Sequence, residues 1–235
     1  VISIVVPTYE EAENLEHVAA SVAEALEGLG RSYEIVFVDD DSRDGSEAIC
    51  AKLSEIHPVR IHVRKRERGL ATAVIHGIER VSGDIVVVMD ADLSHPVTAI
   101  PQMVELLESG SSDFVLGSRY VEGGSIHSGF GPLRKLNSTI PSLLARPLCH
   151  LRDPMSGFFA FYRRDMPDAS ELSPVGYKIA LELLVKGDFR NAREIPIHFA
   201  NRKYGRSKLT LKEQLNFLRH LARLYAYKLL RSPLP

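Results

Sequence analysis

Two aspartates one residue apart, Asp90 and Asp92, stand at the end of an apolar run, Ile85 to Met89. In extended backbone, residues i and i+2 face the same way, so both carboxylates would point together. Two hard oxygen donors on one side suit Mg²⁺ or Mn²⁺, with phosphate oxygens completing the shell. The plain alternative is a solvated turn after a strand. Neighbouring stretches favour the metal. Asp39-Asp40-Asp41-Ser42 closes a second apolar run, Tyr33 to Val38, and Pro7-Thr8-Tyr9 closes another, Ile2 to Val6. Neither a Gly-x-Gly-x-x-Gly fingerprint nor a Walker lysine motif is present, which excludes the standard dinucleotide fold and the P-loop. Carboxylates at strand ends, in place of glycine loops, imply that a metal handles the phosphates.

Such groups need a sheet that brings strand ends to one edge. Apolar runs without polar alternation read as strands buried on both faces. Helix-length segments separate them. Glu10 and Glu11 open the first, where Val18, Val22, Leu26 and Leu29 recur at helical spacing before Gly28 and Gly30 close it. A second runs roughly from Glu47 to Ile56, and a third from Gly69 through Val81, with a short strand from Val59 to Val63 between them. Strand-helix alternation predicts an α/β fold, with parallel strands and helices on both faces. The carboxyl ends then share the edge where such sheets bind ligands.

The second half is less regular. Ala99 to Leu107 reads as a helix, and Phe114 to Gly117 as a strand ending in Ser118-Arg119-Tyr120. Val121 to Gly131, rich in Gly and Ser, reads as a mobile loop. Leu133 to Leu148 mixes Arg134, Lys135 and Arg146 with leucines. Pattern alone leaves two readings for it: a helix lying on a membrane surface, or one packed on the core with a solvated basic face. Asp153 to Phe161 is a turn entering an apolar strand, Ile179 to Val185 is helical, and Ala192 to Phe199 is a strand. After a basic loop, Leu211, Leu215, Leu218, Leu221 and Tyr225 mark a long terminal helix, with Lys212, Arg219 and Arg223 on its wet side. No internal repeat or linker divides the chain, which predicts one domain.

The 235 residues are 45% apolar and 25% charged, as in an ordinary soluble globular protein. A net charge of −1 hides an asymmetry. Residues 201–235 carry nine Lys/Arg against one Glu, a local +8 that leaves −9 for the rest. A basic end suggests an anionic partner. Cys50 and Cys149 are the only cysteines, which argues against a disulfide framework and fits a reducing compartment. No run approaches the ~20 apolar residues of a membrane span. The chain opens at Val1 without Met, directly on a strand and with no signal peptide, as expected of a trimmed piece of a longer protein.

Six stretches form an ordered series: Val5-Val6-Pro7-Thr8-Tyr9-Glu10-Glu11, Val38-Asp39-Asp40-Asp41-Ser42, Met89-Asp90-Ala91-Asp92-Leu93-Ser94-His95-Pro96, Gly117-Ser118-Arg119-Tyr120, Asp153-Pro154-Met155-Ser156-Gly157-Phe158 and Arg202-Lys203-Tyr204-Gly205-Arg206-Ser207-Lys208-Leu209. The series resembles the inverting glycosyltransferases of family 2, and among them the dolichyl-phosphate mannose synthase branch. It spans essentially the whole chain. The first three stretches belong to the broad family, and the later ones are more specific to polyprenyl-phosphate acceptors.

That resemblance implies a GT-A catalytic domain, Rossmann-like, with a mainly parallel central sheet. Residues 1–94 would form the nucleotide-sugar half, 95–208 the acceptor half, and 209–235 an amphipathic C-terminal helix. The implied reaction moves mannose from GDP-mannose to polyprenyl (dolichyl) phosphate, with inversion, using Mg²⁺ or Mn²⁺. The implied place is the cytoplasmic face of a membrane, held peripherally or by segments outside this chain. Carried over position by position, Pro7, Tyr9, Glu11, Val38 and Asp40 hold the nucleoside. Asp90, Ala91 and Asp92 bind the diphosphate sugar, with Asp92 as metal ligand. The family often has Gln where this chain has Ser94, whose hydroxyl can still ligate Mg²⁺ directly or through water. Arg119, Arg134 and Ser138 contact the acceptor phosphate, while Arg202 and Lys208 close over the donor phosphates. The resemblance thus puts Asp92, Arg119 and Arg134 at the centre of catalysis.

Each of these groups also has a plainer use. One of Asp39, Asp40 and Asp41 is expected to cap the following turn, and Glu11 is a first-turn helix acid. His95 reads as a core histidine and not as a ligand, and Phe158, Phe159 and Phe161 as core. Asp153 fixes its turn or positions Arg groups. The basic run 202–208, by itself, is solvated loop. Two rival functions remain. The same fold could use UDP-glucose or another nucleotide sugar, because a nucleoside pocket is built partly from backbone. A basic module binding anionic lipid or RNA is disfavoured, since acidic strand ends would repel such a ligand without metal; nucleic acid is therefore not an expected partner.

Overall fold

The computed structural model describes residues 1–126, 141–173, 175–176, 178–200 and 211–231. Its first half alternates as the periodicity predicts. Strand β1 (Ile2–Thr8) leads to α1 (Ala12–Glu27), β2 (Tyr33–Asp39) to α2 (Ser46–Leu53), and β3 (Val59–Val63) to α3 (Leu70–Ile78) before β4 (Ile85–Val88). Then come α4 (Ile100–Glu108), β5 (Phe114–Ser118), β6 (Ser125–Ile126), β7 (Phe159–Tyr162), α5 (Ile179–Lys186), β8 (Ala192–Pro196), β9 (His198–Phe199) and α6 (Leu211–Arg231).

Seven strands form one sheet in the order β3-β2-β1-β4-β7-β5-β8. β1 pairs in parallel with β2 and with β4, setting Val5 opposite Val36 on one side and Val88 on the other. β7 is inserted antiparallel to both β4 and β5. Two antiparallel steps restore direction, so β5 ends on the same edge as β4. Alternate side chains of β1 then serve two cores. Ile4 and Val6 pack with Leu15, Val18 and Val22 of α1 and with Met103 and Leu107 of α4. Val5 faces the other way, into a second core that also holds Val74 and Ile78 of α3 and Ile179 and Leu183 of α5. Each such side chain contributes about 2 kcal/mol by leaving water. α3 sits hard on β1: a Cβ at Gly77 would fall 2.5 Å from Val5 Cγ1, so only glycine permits that approach.

The edge opposite the site is held by Glu34. It accepts hydrogen bonds from Ser3 Oγ at 2.7 Å and Ser82 N at 2.6 Å, and it pairs with Arg60. Burial pushes its pKa up, but these hydrogen bonds outweigh burial and bring it from 4.5 down to about 2. A depressed carboxylate stabilises the fold above its unfolded pKa and loses that contribution as pH falls through the folded value. Unfolding monitored from pH 5 to pH 2 should therefore lose stability over the window from 4.5 to about 2. In Glu34→Gln that part of the pH dependence should be missing.

Three expectations are corrected. The run Ala192 to Phe199 is not one strand, since pairing with β5 stops at Pro196, opposite Ser118. Pro196 has no N–H to extend a ladder, and His198–Phe199 turns away to pair with Ser125–Ile126. The stretch expected to be a mobile loop thus contains strand β6; its residues 127–131 lie outside the described residues. The terminal helix forms, but on a different face. Its buried stripe is Phe217, His220, Leu221 and Leu224, whereas Leu215 and Leu218 are 59% and 52% exposed. The reason is a buried charge cluster. Glu182 of α5 accepts from Lys186 Nζ at 2.6 Å and lies 3.3 Å from His220 Nε2. A buried carboxylate needs its partners, so His220 sets the rotation of α6, which takes Leu221 and Leu224 inside with it and leaves Leu215 and Leu218 outside. The side chains of Leu211 and Lys212 lie outside the described residues.

Candidate active site

Parallel pairing brings the ends of β1, β2 and β4 to one edge, the two antiparallel steps through β7 return the end of β5 there, and with them comes most of the chemistry. At the β1–β2 end, the three aspartates divide their work. Asp39 is the cap: Oδ2 accepts from Ser42 N at 2.9 Å, and Oδ1 pairs with the Ser42 hydroxyl. Asp41 faces exposed Arg43 at 3.0 Å, which holds its carboxyl below the usual range. Asp40 is buried, and Arg64 clamps it through Nε at 2.8 Å and Nη2 at 2.5 Å. Its other oxygen accepts from Gly69 N at 2.7 Å. Arg64 also donates to Thr72 Oγ1 at 2.9 Å, so one guanidinium ties β2, β3 and α3 together.

Tyr9 follows β1, with the Arg68 guanidinium 5.1 Å from its ring centroid and Arg68 Nη1 donating to its hydroxyl at 3.2 Å. Pro7 is half-buried on β1 beside Val38. Val38 itself is wholly buried in the second core, so only its backbone is available to a ligand. Glu11 precedes α1 and accepts from Asn14 Nδ2 at 2.6 Å, as a helix-entry acid does. Arg64 and Arg68 were missed in the sequence. The signal was the basic run Arg64-Lys65-Arg66-Glu67-Arg68 after β3, which resembles solvated loop.

The Asp-x-Asp segment is not extended. β4 stops at Val88, and Asp90 to Leu93 turns, with Leu93 at φ 59°. The two carboxylates consequently sit in different surroundings. Asp92 is 4% exposed, and its Oδ1 accepts from Ser94 N at 3.1 Å and Ser94 Oγ at 2.5 Å. Asp90 keeps a side chain 31% exposed. Its backbone N–H donates to His95 Nδ1 at 3.1 Å, which leaves the ring proton on Nε2, 3.9 Å from Asp90 Oδ2. Burial lowers the His95 pKa, and the ring stacks on Phe158 at 5.1 Å. His95 is thus a neutral core histidine that braces Asp90, as the sequence suggested. Ala91 is buried between them. A Cβ at Gly157 would come within 3.3 Å of Asp90 Oδ1, so glycine lets the 153–158 turn lie against that carboxylate.

That turn carries Asp153, which is fully buried and positions an arginine. Its two oxygens accept from Arg119 Nε and Nη2, each at 2.8 Å, and Oδ2 also accepts from Arg119 N at 3.0 Å. Glu194 on β8 accepts from Asp153 N at 2.8 Å and anchors the turn from below. Burial works against the Arg119 charge, and Asp153 more than offsets it. The guanidinium lies 5.3 Å from the Phe199 ring centroid and 5.4 Å from that of Tyr120. Beside Tyr120 a cleft of about 620 Å³ opens, lined by Leu143, Arg146, His150 and Arg152 among others.

Lys178, just before α5, is a third residue the sequence did not flag. Its Nζ donates to Met155 O at 3.1 Å. Burial and then Arg119 push its pKa down to about 7, against the pull of Asp153 and Asp90. The site therefore gathers Asp90, Asp92, Arg119, Asp153 and Lys178 at the ends of β4 and β5. Arg134, Ser138, Arg202 and Lys208 lie outside the described residues.

Among the described residues, no three His, Cys, Asp or Glu side chains converge as a ready metal cage. The fit to a divalent ion rests on chemistry: Asp92 and Ser94 offer hard oxygens within 2.5 Å of each other. Mg²⁺ is commonly held by one or two carboxylates with phosphate oxygens and water, and this pair matches that pattern.

Residues 3–168 match the description of the family "Glycosyl transferase family 2". The chain is 42% identical over 231 residues to a dolichol-phosphate mannosyltransferase of Pyrococcus furiosus, covering 97% of this chain and 64% of that protein. It thus spans less than two thirds of that relative's length. It is 37% identical over 235 residues to the dolichol-phosphate mannosyltransferase of Saccharomyces cerevisiae, covering 96% and 87%. Among solved structures, it superposes with a TM-score of 0.67 on glucosyl-3-phosphoglycerate synthase from Mycobacterium tuberculosis in complex with Mn²⁺, UDP and glucosyl-3-phosphoglycerate. Identity there is 21%, over 97% of this chain and 79% of the other. Mannosyl-3-phosphoglycerate synthase from Rubrobacter xylanophilus also scores 0.67, at 20% identity over 100% of this chain and 78% of that one. At such identity the structural likeness shows the fold alone.

Proposed function

The chain belongs to glycosyl transferase family 2, and on that premise we propose that it transfers mannose from GDP-mannose to a polyprenyl phosphate such as dolichyl phosphate, with inversion. The observation that carries the reading is the meeting of Asp90 and Asp92 with the Arg119–Asp153 pair on one sheet edge. Two anions have to approach each other there, the donor diphosphate and the acceptor phosphate. Arginine suits this work, because its fork grips phosphate through two hydrogen bonds. Asp153 holds that fork still, and preorganised charge is worth most in a site closed to water.

A phosphate monoester has a second pKa of about 6, so the acceptor oxygen needs no strong base. That oxygen attacks C1 of mannose, and the bond from C1 to the diphosphate breaks on the opposite side. The electron pair leaves with GDP, which Arg202 and Lys208 are proposed to hold. Pro7, Tyr9, Glu11, Asp40 and the Val38 backbone are proposed to hold the nucleoside, and Arg134 and Ser138 to join Arg119 on the acceptor. Asp92 and Ser94 would hold Mg²⁺ or Mn²⁺, which when bound offsets the charge of the diphosphate.

A lipid acceptor arrives at a membrane surface. Leu143, Leu144, Leu215, Leu218, Leu229 and Leu230 are exposed, and exposed Arg146, Arg219 and Arg223 lie among them. Apolar and cationic groups together suit an anionic bilayer face. No helix among the described residues is long and apolar enough to cross a membrane. The free thiols of Cys50 and Cys149 fit the cytoplasmic side. In a release assay, GDP should appear from GDP-mannose only when polyprenyl phosphate and Mg²⁺ or Mn²⁺ are both present. No turnover with any polyprenyl phosphate would end the proposal, and turnover with UDP-glucose alone would change the donor.

A further inference from the structure

We propose that Lys178 is a second cation of the acceptor-phosphate site, placed beside Arg119 to contact the phosphate of the incoming lipid. The inference rests on the functional reading above and assigns a residue to the same site. Lys178 sits where a structural lysine is poorly used. It immediately precedes α5, and cations are disfavoured at the positive end of a helix. Desolvating an ammonium there carries a further cost. Its Nζ donates to Met155 O, which fixes the side chain against the turn that carries Asp153.

The neighbours explain the charge. Met155 belongs to the turn of Asp153, and the charges acting on Lys178 are Arg119, Asp153 and Asp90. Two cations stand against two carboxylates, so this group is close to neutral before substrates arrive. Asp153 already occupies Nε and Nη2 of Arg119. An acceptor phosphate carrying nearly two negative charges must then enter beside Asp90 and a donor diphosphate. Half-neutralised Arg119 is a weak counter-ion for that. Lys178 supplies the missing positive charge on the side of the cluster closed by α5. An arriving phosphate also reverses the effect of burial on the ammonium, since an anion nearby favours its charged form.

The test uses the intact chain and three proteins: wild type, Lys178→Met and Lys178→Arg. Binding of a short-chain isoprenyl phosphate is measured by calorimetry, and transfer kinetics are measured with GDP-mannose. Lys178→Met loses its bond to Met155 O, so a melting curve first establishes the temperature range in which it is folded, and binding is compared there. It should lose about tenfold or more in isoprenyl-phosphate affinity and in acceptor KM, the worth of one charge-assisted hydrogen bond. Its GDP-mannose KM should stay within about twofold, and Lys178→Arg should restore most of the loss. Unchanged isoprenyl-phosphate affinity in Lys178→Met would overturn the proposal, as would a loss confined to GDP-mannose. If wild type transfers nothing, the functional reading fails on its own, while the calorimetry still decides whether Lys178 holds a phosphate monoester.

Discussion

Replacing Asp92 by alanine is expected to lower mannosyl transfer on the order of a thousandfold while leaving the chain folded. On the proposed reading this carboxylate helps to hold the metal and the donor diphosphate, and within its own turn it accepts hydrogen bonds from Ser94 N and Oγ. Losing those local bonds costs about 1 kcal/mol of stability, far less than the fold can bear. The effect should therefore be seen in chemistry and donor binding. Mg²⁺-dependent binding of GDP-mannose should vanish, and binding to lipid vesicles should persist. Ser94→Ala should do less, since water can replace a hydroxyl ligand. Transfer surviving in Asp92→Ala would remove the aspartate from the mechanism, and the metal reading with it.

The second large effect is expected at Asp153. Its replacement by alanine leaves the Arg119 guanidinium, with a side chain only 15% exposed, without its carboxylate. Breaking a buried pair from one side costs about 3–5 kcal/mol. Chemical denaturation should show that loss, and transfer should fall by on the order of a hundredfold, because Arg119 is no longer held in one place. A double variant, Arg119→Met with Asp153→Leu, separates the two consequences. It should recover much of the stability, since no unpaired charge remains, and yet stay inactive. If the double variant regained transfer, Arg119 would have no part in binding the acceptor.

Much of the site was legible from one dimension. Strand ends can be read from apolar runs, because a strand buried on both faces leaves no polar alternation. Parallel pairing follows from the crossover helices, so the sequence already places Tyr9, Asp40, Asp90 and Arg119 on one edge. What each of them does there was less legible. Asp39, Asp40 and Asp41 look alike in sequence, but one caps a turn, one is clamped by Arg64 and one faces Arg43. The Asp-x-Asp pair read as extended and parallel, whereas the turn at Leu93 gives its two carboxylates different surroundings. Lys178 gave no signal, because a lysine ahead of an apolar helix is the commonest kind of surface residue.

Sequence by itself determined the layering of this protein and the edge on which it works. Both follow from local periodicity: a run of β-branched residues buries itself, and the helix after it dictates the crossover. Tertiary structure decided the partnerships. Asp153 reaches Arg119 across 34 residues of chain, and Arg64 reaches Asp40 across 24. The strand β7 enters between β4 and β5 against their direction, and the terminal helix turns His220, Leu221 and Leu224 inward and Leu215 and Leu218 out. The physical reason is one of range. Hydrophobic pattern is written in consecutive residues, but a buried charge is stable only where some distant segment brings its counter-charge.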